Sequence, residues 1–244
     1  MSAAARGDLL MNDPPQPFVV AACGLALEAR LAAAPDVHAV VGAVDARQLE
    51  AALERELARG ASGIISFGIA GGLAPDVVAG TWIVGRGVVT PARYRASDAA
   101  WTQRLLALLP GARTGDLAGS DVPIVDPAAK RALHVATSAL AVDTESHVAA
   151  AVAALHGVPF AAFRVAADAA DRRLPPAALV SLRPGGRVDV AGVLRSLAAT
   201  PSQLPLLVRT ATDARVAFAA LLRGRRRLGP RLACDLRALE LDVP

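Results

Sequence analysis

The sequence predicts an α/β protein with three layers, in which helices cover both faces of one central sheet. Short apolar runs rich in valine and isoleucine alternate along the chain with segments of helical periodicity, a pattern typical of α/β folds. The length of 244 residues suits one large domain around a single core. No repeat or linker breaks the pattern before residue 172. We therefore expect one domain over residues 17–222, between a flexible leader over 1–16 and a basic tail over 223–244.

The predicted strands are short apolar runs, and the predicted helices carry apolar residues at helical spacing. Gly24 ends the first strand and Pro35 follows the first helix, while Asp45 caps the second helix and Gly60 closes it. The later elements are recognised by the same signals. The strands cover 18–23, 37–44, 63–67, 81–90, 139–142 and 158–167. The helices cover 25–34, 45–59, 98–109, 126–137, 144–156 and 203–222, and the proline- and glycine-rich stretch 174–189 predicts a loop.

The composition argues against two classes of function. Aromatic residues make up only 3% of the chain, so it lacks the base-stacking side chains of a nucleic-acid binder. Lys130 is the only lysine, and a genome rich in G and C would produce such an arginine bias, so the net charge of +4 is weak evidence for a nucleic-acid partner. The longest weakly charged apolar stretch, 148–163, is broken by Gly157 and Pro159, so it does not predict a membrane span.

The cysteines and histidines predict no metal site. Cys23 and Cys234 are far apart, and the four histidines form neither an H-x-x-H nor an H-E-x-x-H pattern. Two distant cysteines suit a reducing cytoplasm. We therefore expect a cytoplasmic protein without a metal or a cofactor.

Two acidic residues mark the candidate site. Glu145 begins the helix 144–156, and Asp168 ends the buried strand that follows. An apolar run that ends on a carboxylate needs a reason, because burial of an ionised group is costly, and α/β proteins bind ligands at the carboxyl ends of strands. Structural alternatives stay open: Asp143 and Glu145 suit the first turn of a helix, and Asp168 could pair with a nearby arginine, Arg164 or Arg172.

Two further motifs follow buried strands. The sequence GIAGG over 68–72 comes after the third strand, where clustered glycines let a ligand approach the backbone, although a tight structural turn explains it equally well. Glu28 lies in the first helix, and its local pattern favours a solvated residue. Neither motif is specific alone.

Together these segments resemble one family. The stretches FGIAGGLAPDVVAGTWIVGRGVV, VDTES and PFAAFRVAADAAD have the order and spacing seen in the nucleoside phosphorylase and nucleosidase superfamily. The chain looks like its methylthioadenosine/S-adenosylhomocysteine nucleosidases, and more closely like the hopanoid-associated phosphorylases, through GLALEAR, the ESH after VDT, and DRRLPPAAL. The resemblance covers roughly residues 18–222. It implies a central twisted mixed sheet flanked by helices, and cleavage of the bond between ribose C1′ and a purine nitrogen.

The resemblance also implies roles for particular residues. Asp168 matches the acid that protonates purine N7, and Glu28 matches the glutamate that activates the attacking water. Glu145 matches the carboxylate that binds the ribose hydroxyls. The other residues that the resemblance places in the substrate site are Thr144, Gly71, Ile69 and Phe163.

The sequence departs from the family at several positions. Thr144 replaces a methionine that packs under the ribose, Ala167 replaces a serine before the acid, and Pro123 and Ile124 occupy the region of a base-stacking phenylalanine. Glu28 lies near the position of a phosphate-binding arginine, which favours water as the acceptor.

The second phosphate arginine of typical phosphorylases falls near Ser66. Arg30 or Arg86 could still supply a cation, so phosphate stays open as a co-substrate.

We therefore expect an enzyme that releases adenine from an adenosyl compound, and the resemblance suggests adenosylhopane in hopanoid biosynthesis. One alternative is a methylthioadenosine/S-adenosylhomocysteine nucleosidase. Another is a non-catalytic relative that binds a nucleoside.

The expected partners are a small-molecule or lipid-linked adenosyl substrate and further copies of the chain, as a dimer or a larger oligomer, but no nucleic acid. The helix 203–222 has an apolar stripe, and an arginine cluster follows it. A packing helix with a solvated basic tail explains this pattern, and so does peripheral contact with the inner membrane surface. The cluster consists of Arg223, Arg225, Arg226, Arg227 and Arg231.

Overall fold

A mixed sheet forms the centre of the protein. The computed structural model describes residues 17–42, 45–175, 182–183 and 186–235. Within these residues the sheet has eight strands, in the order β2-β1-β3-β7-β6-β4-β5, and β8 pairs with both β3 and β4. The strands are β1 (Phe18–Cys23), β2 (Val37–Val41), β3 (Ala61–Gly72), β4 (Trp82–Val89), β5 (Tyr94–Ala96), β6 (Arg113–Gly119), β7 (Ala141–Asp143) and β8 (Phe160–Asp168).

Helices lie on both faces of the sheet, which confirms the predicted three-layer fold. Helices α2 and α5 pack on one face through side chains such as Leu49, Leu53 and Val148. Helices α1, α3 and α7 pack on the other face through side chains such as Trp101 and Leu221. The helices are α1 (Ala26–Ala32), α2 (Ala46–Ala58), α3 (Ala99–Leu108), α4 (Pro127–Thr137), α5 (Ser146–His156), α6 (Val190–Ala199) and α7 (Leu204–Arg227).

The pairing of the strands makes the sheet mixed, as the resemblance implied. Strand β1 is parallel to β2 and β3, and β3 is parallel to β8. In contrast, β4 is antiparallel to β8, and β7 is antiparallel to β3. Because β6 joins β4 and β7, the five strands β3, β7, β6, β4 and β8 form a closed ring. The carboxyl ends of β1, β3 and β8 therefore meet at one edge.

Several elements differ from the sequence-based prediction. β3 continues through the glycine cluster to Gly72, so the cluster is strand rather than a turn. β5, β6 and α6 were not predicted. For β6 the reason is its sequence, RTGDLAG, which has no apolar run. The predicted loop contains a short hairpin, β9 (Leu182–Arg183) and β10 (Arg187–Val188).

The basic tail is also placed differently in part. α7 continues to Arg227, five residues beyond the predicted end, and Leu228, Leu232 and Cys234 are buried against the body. The Nε1 of Trp101 donates to the carbonyl of Leu232 at 2.9 Å. The apolar residues of this segment therefore pack in the core, whereas Arg223, Arg226 and Arg227 are exposed. The predicted leader and residues 236–244 lie outside the described residues.

Candidate active site

A cavity of about 250 Å³ lies at the edge where β1, β3 and β8 end. Its walls are mostly apolar, and the four ionisable side chains that line it are all acids. Within the described part of the chain, no lysine or arginine lines the cavity. The acids are Glu28, Asp143, Glu145 and Asp168.

Glu28 is held rigidly by the backbone around it. Its Oε2 accepts hydrogen bonds from the N–H groups of Gly24 and Leu25, and its Oε1 accepts one from Ile69, each at 2.8 Å. Only 1% of Glu28 is exposed, so the expectation of a solvated residue is wrong. Burial raises the pKa of Glu28 to about 7, although the Arg164 guanidinium opposes the rise. This carboxyl can therefore exchange a proton near neutral pH.

The close approach of Glu28 to β3 requires glycine. A Cβ placed on Gly68 would lie 2.5 Å from the carboxyl carbon of Glu28, a distance that no side chain tolerates. The glycine cluster therefore lets a carboxylate, rather than a phosphate, reach the strand.

A buried charge network positions Glu145. Asp143 lies two residues before the N-cap of α5, and its Oδ1 accepts from the N–H groups of Glu145 at 2.9 Å and Ser146 at 2.7 Å. The Nη2 of Arg164 donates to Glu145 Oε2 at 3.0 Å, to Asp143 Oδ1 at 3.2 Å and to Ser66 Oγ at 2.6 Å. Burial raises the pKa of Glu145, and Arg164 opposes this rise.

Arg164 is fully buried, which is tolerable only because it is paired with carboxylates. Burial alone would lower its pKa, but Asp143 and Glu145 raise the pKa above the ordinary value, so Arg164 stays charged. It lies behind the cavity wall. The sequence suggested Arg164 and Arg172 as partners of Asp168, but Arg164 pairs with Glu145 and Asp143, and Arg172 lies 3.9 Å from Asp213.

Asp168 pairs with Lys130 instead. The two buried side chains meet at 2.5 Å between Lys130 Nζ and Asp168 Oδ2. Burial raises the pKa of Asp168 above its ordinary value, and the Lys130 ammonium opposes that rise. The backbone N–H of Gly72 also lies near this carboxyl and lowers its pKa, but the other oxygen, Oδ1, is buried and makes no hydrogen bond of normal length and angle among the described residues.

Most of the predicted site residues meet in this cavity. Thr144, Ile69 and Gly71 line it together with the three predicted acids, and Thr144 Oγ1 donates to Glu145 Oε1. Gly71 lies opposite Asp168 in the pairing of β3 with β8, where the register shifts.

Phe163 is the exception among the predicted substrate contacts. It is fully buried, its ring centroid lies 5.8 Å from that of Phe67, and it does not line the cavity. The physical reason is the alternation of side chains along β8. Phe163 and Val165 alternate with Arg164 along the strand and point into the core beneath α7, whereas Arg164 faces Ser66 and Glu145.

The remaining basic candidates lie elsewhere. Neither Arg30 nor Arg86 lines the cavity, and Arg86 is exposed with its Nη2 3.5 Å from Asp116 Oδ2. Pro123 and Ile124 do line it, so no aromatic ring occupies that wall. Lys130 was not predicted as a site residue, although its being the only lysine of the chain could have drawn attention to it.

Comparison with known proteins identifies the family. The profile of the Phosphorylase superfamily matches residues 16–181, which is more than half of the chain. No curated protein sequence matches the chain. The chain therefore belongs to the phosphorylase superfamily, which confirms the inferred resemblance.

Solved structures share the fold at low sequence identity. Futalosine hydrolase of Helicobacter pylori strain 26695 has a TM-score of 0.58 at 12% identity, with 86% of this chain and 97% of that chain covered. A 5′-methylthioadenosine/S-adenosylhomocysteine nucleosidase from S. pneumoniae, bound to a transition-state inhibitor, has a TM-score of 0.57 at 14% identity, with 86% and 99% covered. The corresponding H. pylori nucleosidase has a TM-score of 0.57 at 14% identity, with 84% and 97% covered.

At these identities the likeness establishes the nucleosidase-type fold. Membership of the phosphorylase superfamily identifies the chain as an enzyme of the type that cleaves N-glycosyl bonds. No helix in the described part of the chain has the length and hydropathy to cross a membrane.

Proposed function

We propose that the chain hydrolyses the N-ribosyl bond of an adenosyl nucleoside and releases adenine. The observation that carries this proposal is the meeting of Asp168, Glu145 and Glu28 in one largely apolar cavity, which no basic residue lines in the part of the chain that the structure describes. Acids with raised pKa values in a cleft are the groups that proton transfer near neutral pH requires.

Each acid has a distinct role in the proposed reaction. Asp168 donates a proton to purine N7, so the base can leave as a neutral molecule when the bond from C1′ to nitrogen breaks. Positive charge then develops on the ribose, and the Glu145 carboxylate stabilises that charge while it binds the ribose hydroxyls. Water attacks C1′ and gives its proton to Glu28. The products are the free base and a ribosyl compound with a new hydroxyl at C1′.

Water is favoured over phosphate as the acceptor. A phosphate in this cavity would face carboxylates, and like charges at short distance repel. Arg164 is the nearest guanidinium to Glu145, but its Nη2 is already bonded to Ser66, Asp143 and Glu145. We therefore assign the reaction as hydrolysis.

The cavity favours an apolar 5′ substituent. Leu25, Ile69, Ile124, Val142 and Leu174 are among the residues that line it, and contacts with such side chains stabilise apolar groups by about 0.8 kcal/mol per buried CH₂. A space of about 250 Å³ is small for a large ligand, so a hopane group would extend beyond it. Adenosylhopane, which the sequence resemblance suggested, is compatible with this arrangement.

The substrate assignment is tested by comparing adenosyl nucleosides that differ only at the 5′ position. We expect adenine release from a 5′-alkyl compound to have a kcat/KM about tenfold or more above that for S-adenosylhomocysteine, because no cavity cation pairs with its carboxylate. Release is followed by the absorbance change of the freed base. Equal or faster cleavage of S-adenosylhomocysteine would contradict the apolar preference and support the nucleosidase alternative.

The expected membrane contact stays a prediction. The exposed apolar side chains of two helices support it better than the arginine cluster does. Exposed apolar side chains lie on α6 and at the start of α7, at Val190, Leu194, Leu204 and Val208. α7 also contributes Thr210 and Ala214 to the cavity wall. We therefore place the proposed contact beside the cavity, and flotation with anionic liposomes tests it.

The arginine cluster supports the contact less well. The Nε of Arg225 donates to the carbonyl of Leu31 at 3.0 Å, and Arg231 Nε lies 2.9 Å from Asp36 Oδ2. The Arg227 guanidinium lies 5.7 Å from the centroid of the Trp82 ring. These arginines bind parts of the same chain.

A further inference from the structure

Lys130 is the only lysine among the 26 lysine and arginine residues of the chain. It lies on α4, and its side chain is fully buried. Burial of a charged side chain is costly unless the charge is paired and its donors are used. A residue type that occurs once, at a buried position, therefore needs an explanation at that position.

The contacts of Lys130 explain why arginine does not serve here. Its Nζ lies 2.5 Å from Asp168 Oδ2, 3.2 Å from the carbonyl oxygen of Arg172 and 3.3 Å from that of Ala169. An ammonium group has three donors around one atom, which matches three acceptors that converge on one point. The planar, larger guanidinium group cannot reproduce this arrangement.

The two carboxyl oxygens of Asp168 differ in their hydrogen bonds. Lys130 binds Oδ2, whereas Oδ1 is buried and makes no hydrogen bond of normal length and angle among the described residues, where the backbone N–H of Gly72 is the other donor near this carboxyl. Asp168 also lines the cavity. A carboxyl group held by one oxygen has its other oxygen available for a bound ligand.

We propose that Lys130 is the positioning residue for Asp168: it holds Oδ2 so that Oδ1 meets the purine, and it stabilises the carboxylate that remains after the proton is donated. This inference rests on the proposed function. Lys130 does not line the cavity, so it acts through Asp168 and not on the substrate.

The neighbouring charges determine the expected direction of a pH effect. Asp213, on α7, is the acid whose charge raises the pKa of Asp168 further, and Arg172 lies 3.9 Å from Asp213. Lys130 acts in the opposite direction and lowers the pKa of Asp168. Removal of the ammonium should therefore raise that pKa, so Asp168 should keep its proton to higher pH.

The pair can be tested without substrate, because a single lysine gives a single NMR signal. In protein labelled with ¹³C at lysine Cε, we expect the Lys130 signal to shift as Asp168 titrates and to lose this shift in Asp168→Asn. A Lys130 signal with the same pH dependence in both proteins would overturn the pairing.

The positioning role is tested by pH–rate profiles of adenine release. In Lys130→Met, which keeps most of the length of the side chain, we expect the limb that reports Asp168 to move to higher pH. Turnover at the optimum should fall about tenfold or more, since Asp168 is no longer held. Lys130→Arg keeps the charge but not the fit, so it should lower turnover without moving the limb.

The outcomes separate this inference from the proposed function. If the wild-type chain releases adenine and Lys130→Met has an unchanged profile and turnover, the positioning role is wrong and the proposed function stands. If the wild-type chain releases no base, the proposed function and the positioning role both fail, while the NMR titration still decides whether the pair exists. If Lys130→Met does not fold, Lys130→Arg provides the test. A turnover equal to that of the wild-type chain in Lys130→Arg would overturn the positioning role.

Discussion

Replacing Asp168 with asparagine is expected to lower the turnover of adenine release by about 10²–10⁴-fold, the usual contribution of a positioned general acid. Asparagine nearly matches the shape of aspartate but cannot donate a proton of comparable acidity to N7. Substrate binding should change much less than kcat, because the group acts mainly in the transition state. Steady-state kinetics of base release provide the measurement.

This variant needs a control for stability, because Asp168 neutralises a buried cation. Removing one partner of a buried ion pair costs about 3–5 kcal/mol, so Asp168→Asn alone could lose activity through unfolding. The double variant Asp168→Asn, Lys130→Met removes both charges and should recover most of the stability in urea denaturation. Its turnover should remain low. Near-normal turnover in either folded variant would contradict the role of Asp168 as the acid.

Glu28→Gln is expected to lower hydrolysis by about 10²–10⁴-fold, because an amide cannot accept the proton of the attacking water. The substitution also affects the local hydrogen bonds. Glutamine has one oxygen, whereas the two oxygens of Glu28 accept from three backbone N–H groups. At least one N–H group would then face the amide nitrogen, at a cost of about 1–3 kcal/mol.

Glu145→Gln is the matched control, since Glu145 is a second buried glutamate in the same cavity. Its loss should lower kcat and kcat/KM together for any acceptor, because it binds the ribose rather than the nucleophile. Glu28→Gln should instead impair water as the nucleophile. If Glu28→Gln left hydrolysis intact while phosphate raised the rate, Glu28 would not be the base and phosphorolysis would be the reaction.

The site residues that could be predicted are those that lie at a recognisable strand end or helix start. Asp168 ends a buried strand, and Glu145 begins the helix that precedes this strand. Both could therefore be placed at a sheet edge from the order of elements alone. The fold was predictable for the same reason, since buried strands and capped helices alternate. β6 escaped prediction because its RTGDLAG sequence has no apolar run, and its burial comes from neighbours rather than from its own composition.

The rest of the site depends on contacts between distant residues. Glu28 has the local pattern of a solvated residue, but Ile69, 41 residues away, donates to it. Lys130 is 38 residues from Asp168, and nothing in the sequence around either residue indicates that they pair. Phe163 was predicted as a substrate contact but does not line the cavity, because a resemblance transfers a position along a strand, whereas the face of the strand decides what the side chain contacts.

The central claim is that water cleaves the N-ribosyl bond in this cavity, and product analysis in phosphate-free buffer tests it most directly. Incubation of the pure chain with a 5′-alkyl adenosine derivative should yield adenine and the free ribosyl product in equal amounts. Addition of phosphate should change neither the rate nor the products, and ³¹P NMR should show no ribosyl 1-phosphate. Adenine release only with phosphate, or binding of the nucleoside without any release of adenine, would contradict the account.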